Sequence, residues 1–184
     1  MGELDLFGTT MYQTQLMDEY DHEYAPTAAI TKGAPIEFLV KSAGEFYTDL
    51  NSTKLKIKCK INQADMSKMA NADLCGTANL TLHSIFQEIV VTINGKPVSD
   101  PINLYPYRAF LSTLLNYDKS ALETRLQTEG WEMDDAVENV KLDGDDAKND
   151  GLKVRAKTHK ESKVVTFIGR PHVDIFHLGK LLPP

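Results

Sequence analysis

Sulfur chemistry is scarce in this chain. Its 184 residues hold two cysteines, Cys59 and Cys75, with no C-x-x-C spacing. That excludes a disulfide scaffold and a cysteine zinc knuckle, and it fits a reducing compartment or simple burial. Positive charge is also short, with 20 Lys+Arg against 26 Asp+Glu and a net charge of −6. Bulk electrostatic binding of nucleic acid needs a basic excess to neutralise phosphates, so that class is excluded. No apolar run approaches the 18 or more residues of a membrane span. The start, Met1-Gly2-Glu3-Leu4-Asp5-Leu6, has neither a basic region nor an apolar stretch, so no secretory leader is expected. Leu6 stands where a myristoylation motif wants Ser or Thr. Without a leader, the sequons at Asn51 and Asn79 read as chance. The G-x-S-x-G, G-x-x-x-x-G-K-[ST], G-x-G-x-x-G and H-E-x-x-H signatures are all missing, which removes the commonest hydrolase, nucleotide and zinc-protease readings.

What is present is an ordinary globular composition, 42% apolar, long enough to bury a sizeable core. Residues 1–33 are polar and irregular, with an acidic-aromatic patch at Asp18, Glu19, Tyr20, Asp21, Glu23 and Tyr24, and read as an arm. From Pro35 the pattern is that of strands. Ile36-Glu37-Phe38-Leu39-Val40 is rich in strand formers, Ser42-Ala43-Gly44 reads as a turn, and residues 45–50 alternate again. Residues 54–61 alternate strictly, placing Leu55, Ile57, Cys59 and Ile61 on one face and four lysines on the other. The lysine row reads as a solvated face or a charge-guarded edge. Ile89, Val91 and Ile93 form a further strand that runs into Asn94-Gly95, the residue pair of a type I′ hairpin. Residues 164–168, with Val165 and Phe167 facing inward, and then 172–176, complete about six strand candidates.

Two helices are expected between these strands. Leu104, Tyr107, Leu111, Leu114 and Leu115 fall on one helical face, with Pro106 in the tolerant first turn. Ser120-Ala121-Leu122-Glu123 reads as a capping box opening the second helix, which Gly130 can end. Residues 129–150 carry nine acids against Lys141 and Lys148, and 153–163 carry five basic residues. Opposite charge blocks this close predict a surface loop, residues 131–151, that folds back on its neighbour.

Three constellations could carry chemistry. Asp143-Gly144-Asp145-Asp146 resembles a calcium loop, but Ala147 occupies the third ligand position, so a solvated acidic loop is the reading. His172 and Asp174 would share one face of a strand and could hold a divalent ion. His177 has the opposite parity, and structural hydrogen bonding with no metal is the expectation. His83 has no acid within local reach and reads as a packed or capping histidine. No catalytic residue, cofactor or metal ligand is assigned at this point, and the chain reads as no enzyme.

An ordered series of short motifs sharpens this. Pro35-Ile36-Glu37-Phe38, Tyr47-Thr48-Asp49-Leu50, the 54–61 strand, Leu82-His83-Ser84-Ile85-Phe86 and Val91-Thr92-Ile93-Asn94-Gly95-Lys96 come first. Tyr105-Pro106-Tyr107-Arg108-Ala109-Phe110, Leu114-Leu115-Asn116-Tyr117, residues 167–176 and Leu181-Leu182-Pro183-Pro184 follow. Over roughly residues 33–184 this series resembles the N-terminal part of the major capsid proteins of Polinton (Maverick) elements and adintoviruses. Such genes are also met integrated in animal genomes. The resemblance implies a double jelly roll whose chains form homotrimeric capsomers with other capsid proteins in a virion, made in the host cytoplasm or nucleus. The expected fold is therefore mainly β, the first antiparallel jelly-roll sandwich with two short inserted helices. Its domains would be the arm 1–33 and a body 34–184 carrying a helical insertion at 104–130. The family is much longer and richer in strands, so an incomplete sandwich, from a fragment or truncated product, is expected. The expected core is Leu55, Ile57, Ile61, Ile89, Val91, Ile93, Leu111, Leu114, Leu115, Val165 and Phe167. The expected function is structural, by self-association, with neither sequence-specific nucleic-acid binding nor membrane insertion. The runner-up is a non-enzymatic β-sandwich binding module, lectin-like or an adaptor, with its site in loops. A metal-dependent enzyme built on His172 and Asp174 ranks third.

Overall fold

A computed structural model describes residues 18–41, 44–99 and 103–184. The chain divides into two compact units, Met1–Gly44 and Glu45–Pro184. Within the first unit the described residues form neither helix nor strand. Thr27 donates its backbone N–H and its hydroxyl to the Glu37 carbonyl, and His22 packs its ring edge on Tyr20. Ile36, Phe38, Leu39 and Val40, expected in a strand, are exposed and unladdered. The arm up to residue 17 and Ser42-Ala43 of the expected turn lie outside the described residues.

The second unit corrects the expected fold class. Among the described residues it holds four short strands in two separate two-stranded sheets, not a jelly-roll sandwich, and a jelly roll requires eight. β1 (Leu55–Cys59) pairs antiparallel with β4 (Val165–Gly169), with Ile57 opposite Phe167. β2 (Thr92–Ile93) and β3 (Lys96–Pro97) form a hairpin. Its two-residue turn has positive φ at Asn94 (50°) and Gly95 (75°), as the type I′ geometry demands. The missing sandwich has a physical reason. Strand-forming composition stabilises a strand only through cross-strand partners, and residues 45–50 find a single bridge, Thr48 to Leu182. Residues 172–176 form no strand: Val173 is still extended, and a 3-10 turn follows at Asp174–His177.

Helices make up the rest of the described regular structure. These are α1 (Thr81–Ser84), α2 (Tyr105–Asn116), α3 (Lys119–Glu123) and α4 (Asp150–Thr158), with a 3-10 turn at Arg125–Glu129 after α3. Asp118, rather than Ser120, caps α3 by accepting the Ala121 N–H at 2.9 Å. Gly130, at φ +82°, stops the following turn; a Cβ there would also meet Thr81 Cβ at 2.8 Å. α4 lies where the sequence shows only a basic block. Asn149 caps it by accepting the Leu152 N–H, and its inward face is Gly151, Arg155 and Ala156, too short in apolar residues to signal a helix. Among the described residues no helix is long and apolar enough to cross a membrane.

The core gathers Leu80, Ala109, Leu122, Leu126 and Trp131, with Phe110 and Tyr117 at its margin. Trp131 stacks on Phe110 with ring centroids 5.5 Å apart. Of the expected core, Phe167 is buried, and Leu55, Ile57, Ile61, Ile89, Val91, Ile93 and Val165 are half-buried. Leu111, Leu114 and Leu115 are a correction: they are 57%, 45% and 82% exposed. α2 instead turns inward Tyr105, Ala109 and Thr113, spaced four residues apart. The small side chains of Ala109 and Thr113 let the helix backbone approach its neighbours closely, and the bulky stripe is left outside.

The acidic segment is irregular and does fold onto its basic neighbour. Arg155, 6% exposed, donates to the Thr77 and Glu132 carbonyls and pairs with Asp134 at 2.8 Å. Asp135 accepts the Asp150 N–H at the start of α4. Removing one partner of a buried pair strands the other charge and costs about 3–5 kcal/mol. Arg155→Met is expected to lose stability on that scale in urea titration. A loss under about 1 kcal/mol, that of an exposed pair, would contradict this.

His159, fully buried against Phe167, has its pKa lowered by desolvation. A folded-state pKa below the unfolded value of about 6.5 means that the unfolded chain takes up the proton first. Its contribution is therefore complete above pH 6.5 and is lost as pH falls towards the lowered value. His159→Leu should narrow the gap between urea midpoints at pH 7.5 and pH 5. An unchanged gap would show that His159 protonates in the native state.

Candidate functional site

Four segments far apart in sequence meet at a buried polar cluster. α1 brings His83, 0% exposed, to its centre. The residue before α1, Leu80, has φ +55°, a left-handed conformation costing a non-glycine residue roughly 1–2 kcal/mol. Its buried side chain and the Asn79 side-chain bond to its N–H hold it there. α2 places Tyr105 at its first turn, the 3-10 turn after α3 ends on Glu129, and the segment leaving β4 supplies His172.

The hydrogen bonds run in one direction. The His172 backbone N–H donates to the Tyr105 hydroxyl oxygen at 3.2 Å. That hydroxyl lies 2.8 Å from His83 Nδ1, and His83 Nε2 lies 3.1 Å from Glu129 Oε2. The arrangement satisfying each of these atoms has Tyr105 donating to Nδ1 and the Nε2–H donating to the carboxylate. The His172 ring meets the His83 ring edge-on at 4.7 Å, and its Nδ1 is buried without a hydrogen-bond partner. Burial, with the nearby His83, His177, Arg170 and Arg108, pushes the His172 pKa down to about 3, so the ring is neutral at ordinary pH. Burial likewise pushes the Tyr105 phenol well above its usual value.

Glu129 enters this space because Gly169 has no side chain. A Cβ at Gly169 would stand 2.5 Å from both Cγ and Cδ of Glu129. Beside the cluster, Tyr105 and His172 also line a cleft of about 650 Å³, walled by Leu104, Tyr107, Leu111 and Val98. At its rim Arg108 forms an ion pair with Asp174.

The residues considered from sequence are therefore separated. His172 turns into the core, whereas Asp174 lies on the surface with Arg108. His177 packs its ring on His172 at 6.0 Å and bonds Arg170 at 3.2 Å. Asp143, Asp145 and Asp146 stay exposed, Asp146 pairing with Lys141. Lys54, Lys56, Lys58 and Lys60 are exposed, as the alternation implied, and Cys59 and Cys75 are free thiols. Among the described residues one set of three His, Cys, Asp or Glu side chains converges: His83, Glu129 and His172, with ligand atoms within 4.8 Å of one another. The signal for it was slight, since a lone His83 acquires its acid 46 residues downstream.

Compared with family models, curated proteins and solved structures, the chain finds no match.

Gly169→Ala should push Glu129 off His83. Crowding of this kind costs typically 1–3 kcal/mol, and the His83 imidazole NMR signals are expected to move. Unchanged stability and unchanged His83 shifts would show that Glu129 is not wedged by Gly169.

Proposed function

We propose that the chain is a structural protein of the viral-capsid type that works by self-association. Two things support this reading. The first is the collinear motif resemblance over residues 33–184. The second, which carries most weight, is the inverted amphipathicity of α2: Tyr107, Leu111, Leu114 and Leu115 form an apolar stripe on the surface. Ile85, Val90, Val98 and Leu104 add further exposed apolar side chains in the same unit. Exposed large apolar side chains gathered on one helix face are a feature of interaction surfaces. Each two-stranded sheet also ends without a further strand on either side among the described residues, leaving edges open to strand addition. The proposal concerns the role and not the jelly-roll fold. A non-enzymatic binding module is the second reading, and the cleft beside Tyr105 and Arg108 favours it.

Light scattering across a wide dilution range separates the two. Self-association predicts a mass that falls on dilution. Leu111→Lys with Leu115→Lys should give the monomer mass while leaving the melting temperature within a few degrees, since both side chains are exposed. A concentration-independent monomer in the unaltered chain would contradict self-association and leave the cleft as the functional surface.

A further inference from the structure

We propose that His83, Glu129 and His172 bind one zinc ion, with a water in the fourth position. The three side chains are 0%, 7% and 5% exposed, and they come from α1, the turn after α3 and the end of β4. Two imidazoles and a carboxylate are a donor set suited to zinc and too nitrogen-rich for calcium or magnesium. The distances are close to what the ion requires. Bonds of about 2.0–2.1 Å at tetrahedral angles separate neighbouring ligand atoms by about 3.4 Å. His83 Nε2 and Glu129 Oε2 are 3.1 Å apart, and the widest separation in the trio is at most 4.8 Å. Bringing the widest pair to that spacing is a change of at most about 1.4 Å.

Two further observations point to a ligand. His172 Nδ1 is a buried polar atom with no partner, which the remaining interactions of the cluster do not account for. Tyr105 already holds His83 Nδ1 at 2.8 Å, the outer-sphere contact that orients a metal-bound imidazole. With zinc on Nε2 the ring proton sits on Nδ1 and donates to the phenol oxygen. The cleft lined by Tyr105 and His172 gives the ion a route from solvent. Neither Asp174, which is on the surface with Arg108, nor the two cysteines takes part. This proposal is independent of self-association.

The test uses the full chain, stripped with a chelator and titrated with zinc chloride and, in parallel, with cobalt(II) chloride. One zinc per chain, a visible cobalt spectrum of tetrahedral type and a raised melting temperature are expected. His172→Gln and Glu129→Gln should each abolish stoichiometric uptake, and Tyr105→Phe should weaken it by roughly 10–100-fold. Ligand variants can unfold, so zinc-edge X-ray absorption on the unaltered protein gives a reading that needs no variant. It should show nitrogen and oxygen neighbours only, with imidazole scattering. Sulfur in the zinc shell, the absence of one tight equivalent, or unchanged affinity in folded His172→Gln would each overturn the proposal.

Discussion

The second unit depends on a carboxylate buried beside a histidine. Glu129 has little contact with water, and an unpaired buried charge would be far more costly than any single apolar contact could offset. The His83 ring therefore has to be in place, and Tyr105 has to orient it. Those requirements fix α1, the first turn of α2 and the turn after α3 relative to one another. His172 and Gly169 attach the end of β4 to the same point. The apolar cluster around Leu80, Leu126 and Trp131 packs next to this arrangement. Hydrophobic burial supplies the bulk of the driving force, while the polar cluster selects which packing is adopted.

Local signals in the sequence were read well where the chemistry was local. The 54–61 alternation and the strand at 164–168 are both present, and they proved to be each other's partner. Asn94-Gly95 makes its turn, and Gly130 stops the 3-10 turn that follows α3 although the helix itself ends at Glu123, because positive φ is a property of single residues. The sheet architecture was not legible. Residues 36–40 and 45–50 have the composition of strands, yet composition does not say whether a partner edge exists. The reading held about six strand candidates in an incomplete jelly roll, whereas the described residues form four short strands in two separate sheets.

α2 shows a different failure. Its spacing was right and its direction was wrong. Periodicity identifies a helix and its apolar stripe, and then assumes that the stripe faces the core of the same chain. Here a stripe of Tyr105, Ala109 and Thr113 does so instead, selected by the Tyr105 hydroxyl and by close approach. The polar cluster was hidden for a related reason. His83, Tyr105, Glu129 and His172 share no local motif, and only the tertiary fold makes them neighbours.

The β1–β4 ladder also sets a timetable for folding. Cys59 pairs with Val165 and Leu55 with Gly169, so nearly everything in the unit lies inside one closed loop. Closing a loop of that length has an entropic cost that must be met before the ladder gives anything back, and such non-local pairing folds slowly. On a ribosome adding about 5–20 residues per second, β1 waits roughly 5–20 seconds for its partner to be synthesised. For that interval Leu55, Ile57 and Ile61 are an apolar strand face with nothing to cover it. The exposed Lys54, Lys56, Lys58 and Lys60 then place like charge on every copy of the same nascent segment, which opposes its association.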